Sequence, residues 1–272
     1  MVASQSDLKL RIKDSAPGVE SEKTRSLSPE FIEGFAGFVD AEGLFAVYLT
    51  STGNPKISFR ITLHKDDLGA LKFIQKELGA GVIRLEGDTY VYYLIKSEDI
   101  ENILFPVFDS FSMNSTKHMD YLIFKEAYFI RKDRSYRTPG GLSHLKNLLS
   151  QLNNKRTDYT YPINHTFRIT PDWMVGFIEG DGIFSGRVDQ EIRRVRLGLK
   201  VTQTVAEEKF MDTIIIFWKT LTQNKVTSQN MKLDNVNVYR KINEETKPSE
   251  QPSIIISVND TVFLYTIGYT FI

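Results

Sequence analysis

Two nonapeptides constrain this chain more than any other feature. FAGFVDAEG runs from Phe35 to Gly43, and MVGFIEGDG runs from Met174 to Gly182, 139 residues later. Each is an apolar, glycine-containing stripe that closes on acid-x-acid-Gly. Each is introduced alike, by Ser28-Pro29 in the first copy and Thr170-Pro171 in the second. A hydroxyl side chain caps the orphan N–H groups of a helix start, and proline suits the first turn. Phe31, Phe35 and Phe38 then fall at helical spacing, and Gly43 is expected to stop the helix. Small residues make a narrow face on both helices: Gly34 and Gly37 on one, Val175, Gly176 and Gly180 on the other. A glycine in a helix interior costs about 1 kcal/mol relative to alanine. Close approach of two packed backbones would offset that, so the stripes read as a two-helix seam.

The elements around these helices repeat in the same order. After the first helix come strands at Leu44–Thr50 and Lys56–Leu63, an amphipathic helix ending at Gly79, and the hairpin VIRLEGDTYVYYLI turning near Gly87-Asp88. Helices are expected near Ile100–Phe111, Lys117–Ile130 and Leu142–Leu152. After the second motif, IFSGRVD and RRVRLGLKVT read as strands, EEKFMDTIIIFWKTL as a helix and NVNVYRKI as a strand. SIIISV and TVFLYTIGY read as the closing pair. This is an internal duplication in an α+β chain. Its expected divisions are a flexible leader or short arm at 1–27, a first unit at 28–152, a polar linker at 153–169 and a second unit at 170–272. The second unit stops soon after its last strand and is expected to lack closing helices. Apolar residues such as Ile255 or Phe263 would then need a cover.

The apolar stripe does not explain the acids. Asp40 and Glu42 close the first helix, Glu179 and Asp181 the second, where each faces the negative end of a helix dipole. Packed side by side, the helices would also bring like charges together. A divalent cation held by hard oxygen ligands resolves both problems, and it would suit metal-assisted phosphodiester hydrolysis. The chain has no Cys, which excludes disulfides, thiolate metal sites and cysteine nucleophiles, and it has only four His. No 18-residue apolar run suggests a membrane span. Formal net charge is zero, from 34 basic and 34 acidic residues, which is mild evidence against a nucleic-acid binder. Lys and Arg nonetheless outnumber acids between Lys117 and Arg156, a run that is more often a solvated helix face than a binding surface.

The two motifs, their capped prolines and the repeated strand order resemble the LAGLIDADG homing endonucleases in their single-chain, two-motif form. The resemblance runs from about Ser28 to Ile272. It implies a pseudo-symmetric α-β-β-α-β-β-α unit used twice, with two antiparallel sheets forming a saddle over double-stranded DNA and a long asymmetric target. It implies Mg2+, with Ca2+ or Mn2+ able to occupy the same site. The acid before each last motif glycine is the metal ligand, which carries over to Glu42 and Asp181. Asp40 and Glu179 become capping or supporting acids. Gln203, in KVTQ, matches a residue that orients solvent; Leu63 stands at the matching place of the first unit. Lys117 matches a lysine that reaches the central site, where it could steady charge on phosphate, although a solvated helix lysine fits the position as well. The strand residues Lys56, Ser58, Arg60 and Thr62, and Arg187, Arg193, Arg194, Arg196, Lys200 and Thr202, become candidate DNA contacts. Members of the family are often encoded in mitochondrial introns. A maturase binding intron RNA, or a non-catalytic component of a mitochondrial ribonucleoprotein with a partner at the short second unit, is the alternative.

Overall fold

The computed structural model describes residues 8–13, 22–189, 194–223, 238–243 and 253–258. Its frame is two helices, α1 (Pro29–Glu42) and α7 (Pro171–Asp181), packed side by side. Both start as the sequence predicts. Ser28 Oγ accepts from Phe31 N at 3.2 Å and Thr170 Oγ1 from Trp173 N at 3.2 Å.

The glycines set how close these helices come. A Cβ at Gly37 would lie 1.9 Å from the Trp173 carbonyl oxygen, and one at Gly176 would lie 1.8 Å from that of Gly34. No side chain fits at either place. At Gly180 a Cβ would meet the Ala41 side chain at 2.3 Å, whereas at Gly34 its nearest neighbour is an ordinary 3.5 Å away. Gly43 caps the end of α1 as expected. Its φ is −71°, an extended backbone open to any residue. A Cβ there would sit 2.9 Å from the Val39 carbonyl oxygen, so crowding, and not a left-handed turn, requires the glycine.

Each motif helix runs directly into a sheet. In the first unit β3 (Gly43–Leu49), β4 (Pro55–His64), β5 (Val82–Glu86) and β6 (Thr89–Leu94) form an antiparallel sheet in the order β3-β4-β6-β5. In the second, β7 (Gly182–Asp189), β8 (Arg194–Thr204), β9 (Val238–Asn243) and β10 (Ser253–Val258) repeat it as β7-β8-β10-β9. Register repeats too: Gly43 pairs with Ile61 and Gly182 with Val201. Leu63 and Gln203 are therefore equivalent positions. The expected closing pair needs correcting. SIIISV, which is β10, lies between β8 and β9, while TVFLYTIGY lies outside the described residues.

The helices α2 (Leu68–Leu78) and α8 (Glu208–Gln223) occupy matching places after β4 and β8. The first unit continues with α3 (Ser97–Asp99), a π-helical turn over Ile100–Leu104 and α4 (Phe105–Ser110), then α5 (Lys117–Lys132) and α6 (Pro139–Leu149). These cover the sheet face made by the odd residues of β3 and β4. Phe45, Phe59, Phe108 and Phe124 are all buried there, with ring centroids of Phe45 and Phe124 5.3 Å apart. Burying each such side chain contributes about 1.5–3 kcal/mol. The residues after β10, 259–272, which include Phe263, lie outside the described residues, so the expected lack of closing helices in the second unit falls there. Ile255 is half-buried.

Two segments differ from the sequence reading. The leader contains a two-stranded hairpin, β1 (Leu8–Lys13) against β2 (Glu22–Leu27); the alternating LKLRIK carries the strand signal beneath the polar composition. The 153–169 linker is packed and not merely polar: Phe167 stacks on Phe210 of α8, and His165 on Tyr161.

Candidate active site at the seam

The C-terminal end of α7 delivers Asp181 to a cavity of about 470 Å³, whose lining includes Lys117, Asp181, Thr202, Gln203 and Glu207; Glu42, at the end of α1, is not in that lining but lies close enough for the charges of Asp181 and Lys117 to act on it. Burial raises the Glu42 carboxyl above its ordinary value, and the charge of Asp181 raises it further. Asp181 is raised by burial, against the opposing influence of Lys117 and Gln203. Gln203 donates its Nε2 hydrogen to Asp181 Oδ2. Thr202 Oγ1 is buried in the cavity wall without a hydrogen-bond partner among the described residues.

Lys117 opens α5 and donates to the carbonyl oxygen of Ala41, between the motif acids. Burial lowers its pKa, while Asp40, Asp181, Glu42 and Glu207 oppose that fall. The helix start is itself held by two carboxylates. Asp40 accepts from Asn114 N at 2.8 Å, Ser115 N at 2.8 Å and Trp173 Nε1 at 2.9 Å. Glu207 accepts from Thr116 N and Oγ1 and from Tyr161 OH. Carboxylates are well placed at the positive end of a helix dipole. Burial still pushes Asp40 up to about 6.

The repeats part company here. Asp40 is 2% exposed and accepts hydrogen bonds from Asn114, Ser115 and Trp173. Glu179, its sequence equivalent, is exposed and borders an apolar groove with Phe31, Phe38 and Phe73. Sequence reasoning missed Glu207, Tyr161 and the Asn114–Thr116 turn. Their only signal was the Ser-Thr pair ahead of Lys117.

In β4 the candidate contacts lie on the sheet face turned away from the helices: Ile57, Phe59 and Ile61 are buried while Lys56 and Thr62 are exposed. Arg60 donates from Nε to Ser58 Oγ at 3.0 Å, and its guanidinium lies 5.1 Å from the Tyr93 ring centroid. Ser58 is buried beneath it, at 6% exposed, and serves as a support for Arg60. Arg84 approaches the same ring at 5.6 Å, and Tyr93 OH donates to Glu86 at 2.7 Å. In the second unit Arg187 is exposed and Lys200 half-buried. Arg187 pairs with Arg196, and Asp189 with Arg194, across β7 and β8. Arg193 lies outside the described residues.

The family model for the LAGLIDADG endonuclease matches residues 35–128. The second motif at 174–182 and the duplicated sheets repeat that pattern in the other half. The chain is similar to the LAGLIDADG family in its two-motif form. It is 28% identical over 179 residues to a probable intron-encoded endonuclease, Cox1-I1b, of Schizosaccharomyces pombe, covering 64% of this chain and 46% of that protein. It is 24% identical over 246 residues to the uncharacterized mitochondrial protein RF1 of Saccharomyces cerevisiae, covering 86% of this chain and 48% of that one. The chain thus spans less than half the length of these curated relatives. Among solved structures it shares its fold with the LAGLIDADG meganuclease I-CpaMI bound to uncleaved DNA, at TM-score 0.68, 22% identity, and coverage of 88% of this chain and 83% of that one. It also matches I-SmaMI bound to uncleaveable DNA, at TM-score 0.72, 22% identity, and coverage of 90% and 85%. Among the described residues, no helix is long and apolar enough to cross a membrane.

Proposed function

We propose that the chain is a site-specific double-strand DNA endonuclease that hydrolyses phosphodiesters with a divalent cation between Glu42 and Asp181. One observation carries this: the acids that end the two motif helices, one from each repeat, act on each other electrostatically, Asp181 lining a cavity with Lys117 and Gln203 and Glu42 feeling the charges of both Asp181 and Lys117. The donor set fits a hard cation. Among the described residues no three His, Cys, Asp or Glu side chains gather as a metal cage. Mg2+ is commonly held by one or two carboxylates and otherwise by water and substrate phosphate, so two acids suffice. The mutual repulsion of Glu42 and Asp181 adds to the attraction.

When bound, such an ion would activate water and neutralise charge on the attacking and leaving oxygens. The protein's own residues do the rest. Gln203 fixes the Asp181 carboxylate, Thr202 offers an unpaired hydroxyl to the cavity, and Lys117 supplies positive charge for a phosphate. Lys56, Arg60, Thr62, Arg187 and Lys200, on the open sheet faces, position and read the duplex. Arg60 is preorganised by Ser58 and Tyr93. The names of the relatives support an intron-encoded protein, and RF1 supports a mitochondrial one.

The test is a cleavage selection. Purified protein meets a diverse double-stranded DNA library in Mg2+, with Glu42→Gln and Asp181→Asn as controls. The expected result is one long site cut by the intact protein alone, with both variants slowed at least 100-fold, on the order of the loss when a key electrostatic group is removed. Folded protein that cuts nothing and instead retains structured intron RNA would replace the nuclease with an RNA-binding function.

A further inference from the structure

Lys117 is the one cation at the acid pair among the described residues of the cavity lining that come from α5. Its place depends on where α5 begins. That start is docked to both repeats at once, by Asp40 from the first and Glu207 from the second. Asp40 lies two residues from Glu42 in the same helix. Glu207 is 6% exposed and lies in the short turn after β8, four residues beyond Gln203.

We propose that Glu207 is a positioning residue: it ties the start of α5 to the second repeat and thereby sets Lys117 against Glu42 and Asp181. Three donors converge on its carboxylate. Thr116 N lies 3.0 Å from Oε1, the Thr116 hydroxyl donates to the same oxygen, and Tyr161 OH donates to Oε2 at 2.9 Å. Thr116 immediately precedes Lys117, so a shift of this turn moves Lys117 with it. Tyr161 is held in turn, stacked on His165 at 4.8 Å, which lies 4.6 Å from His118 of α5. Glu207 therefore joins three pieces of chain: the turn after β8, the start of α5 and the linker.

The segment 203–207 has two tasks. Its first residue bonds Asp181 and its last bonds the turn that carries Lys117. The cation and one acid are thereby fixed relative to each other through five residues. The equivalent segment of the first repeat runs from Leu63 to Asp67. Leu63 cannot make the amide contact, and Asp67 is exposed without a side-chain cap hydrogen bond. The second repeat alone carries the device.

The activity part of the test rests on the nuclease reading, so a second measurement is independent of it. Glu207→Ala, Lys117→Ala and the double variant are compared for single-turnover cleavage and for DNA affinity without divalent metal. Glu207→Ala is expected to slow cleavage about 10–100-fold, the usual cost of losing a supporting contact, with affinity within about twofold. The double variant is expected to be no slower than Lys117→Ala, because residues acting through one group are not additive. Glu207→Gln, which keeps an acceptor, is expected to recover most of the rate. Where Glu207→Ala does not fold, Thr116→Val removes one donor to the same carboxylate and should move the rate in the same direction. Separately, the acetylation rate of the Lys117 amine is mapped by mass spectrometry. It should rise severalfold in Glu207→Ala or Thr116→Val and stay low in Glu207→Gln. Losses that multiply in the double variant, or unchanged Lys117 acetylation in folded Glu207→Ala, would overturn the proposal. The expected acetylation pattern in a protein that cuts no DNA would uphold the positioning and reject the nuclease.

Discussion

His118 and Lys117 are neighbours on α5 and meet opposite conditions. Four acids oppose the loss of the Lys117 charge. His118 faces His165, and its Nδ1 is buried without a hydrogen-bond partner among the described residues. Burial, and then the charge of His165, push His118 from 6.5 down to about 4. The folded chain therefore binds this proton less tightly than the unfolded chain. The resulting stability is complete above about pH 6.5 and is lost as the pH falls through about 4. His118→Phe keeps a ring against His165 and removes the titration. Between pH 7 and pH 4 its urea stability is expected to fall less than that of the parent, by roughly 1–3 kcal/mol. Urea denaturation of both proteins at the two pH values checks this, and equal losses would sink it.

At the scale of elements, the seam depends on backbone proximity at two places. Gly37 and Gly176 each face a carbonyl oxygen of the opposite helix inside 2 Å of where a Cβ would stand. Gly37→Ala or Gly176→Ala must push α1 and α7 apart and should destabilise by at least the 1–3 kcal/mol of ordinary overpacking. Gly34→Ala meets only van der Waals contact, so higher helix propensity should leave it neutral or up to about 1 kcal/mol more stable. Thermal or urea unfolding of the three variants separates them; equal loss at all three would mean the seam is not held by these close contacts. The seam was legible because glycine spacing within a helix is a local signal. So were both helix caps, the hairpin at Gly87 and the equivalence of Gln203 with Leu63. What escaped was long-range. Glu207 meets Thr116 across 91 positions, which leaves no periodic trace. NVNVYRKI and TVFLYTIGY alternate equally well, so sequence alone could not assign the partner of SIIISV. Asp40 and Glu179 look alike in the motif, yet only Asp40 meets the Asn114–Ser115 turn.

At the scale of the molecule, the two repeats share a plan but not a core. Phe45 and Phe184 are equivalent, each two residues beyond a motif-ending glycine, and their strand partners are Phe59 and Leu199. Phe45 is 1% exposed, enclosed by Phe108, Tyr121 and Phe124 from α4 and α5. Phe184 is 66% exposed, on a strand where Val188 is also open. The sequence points to Ile255 and Phe263 as apolar residues in need of a cover; Ile255 is half-buried, Phe263 lies outside the described residues, and Phe184 is the open one. The same substitution should therefore have unequal effects. Phe45→Ala removes a ring from a closed aromatic cluster and should cost about 3–5 kcal/mol. Phe184→Ala removes a ring already mostly in water and should cost less than about 1 kcal/mol. Urea denaturation of the two variants measures the difference. A Phe184→Ala loss as large as that of Phe45→Ala would mean that this face is covered in solution, and that the second repeat has a core equal to the first.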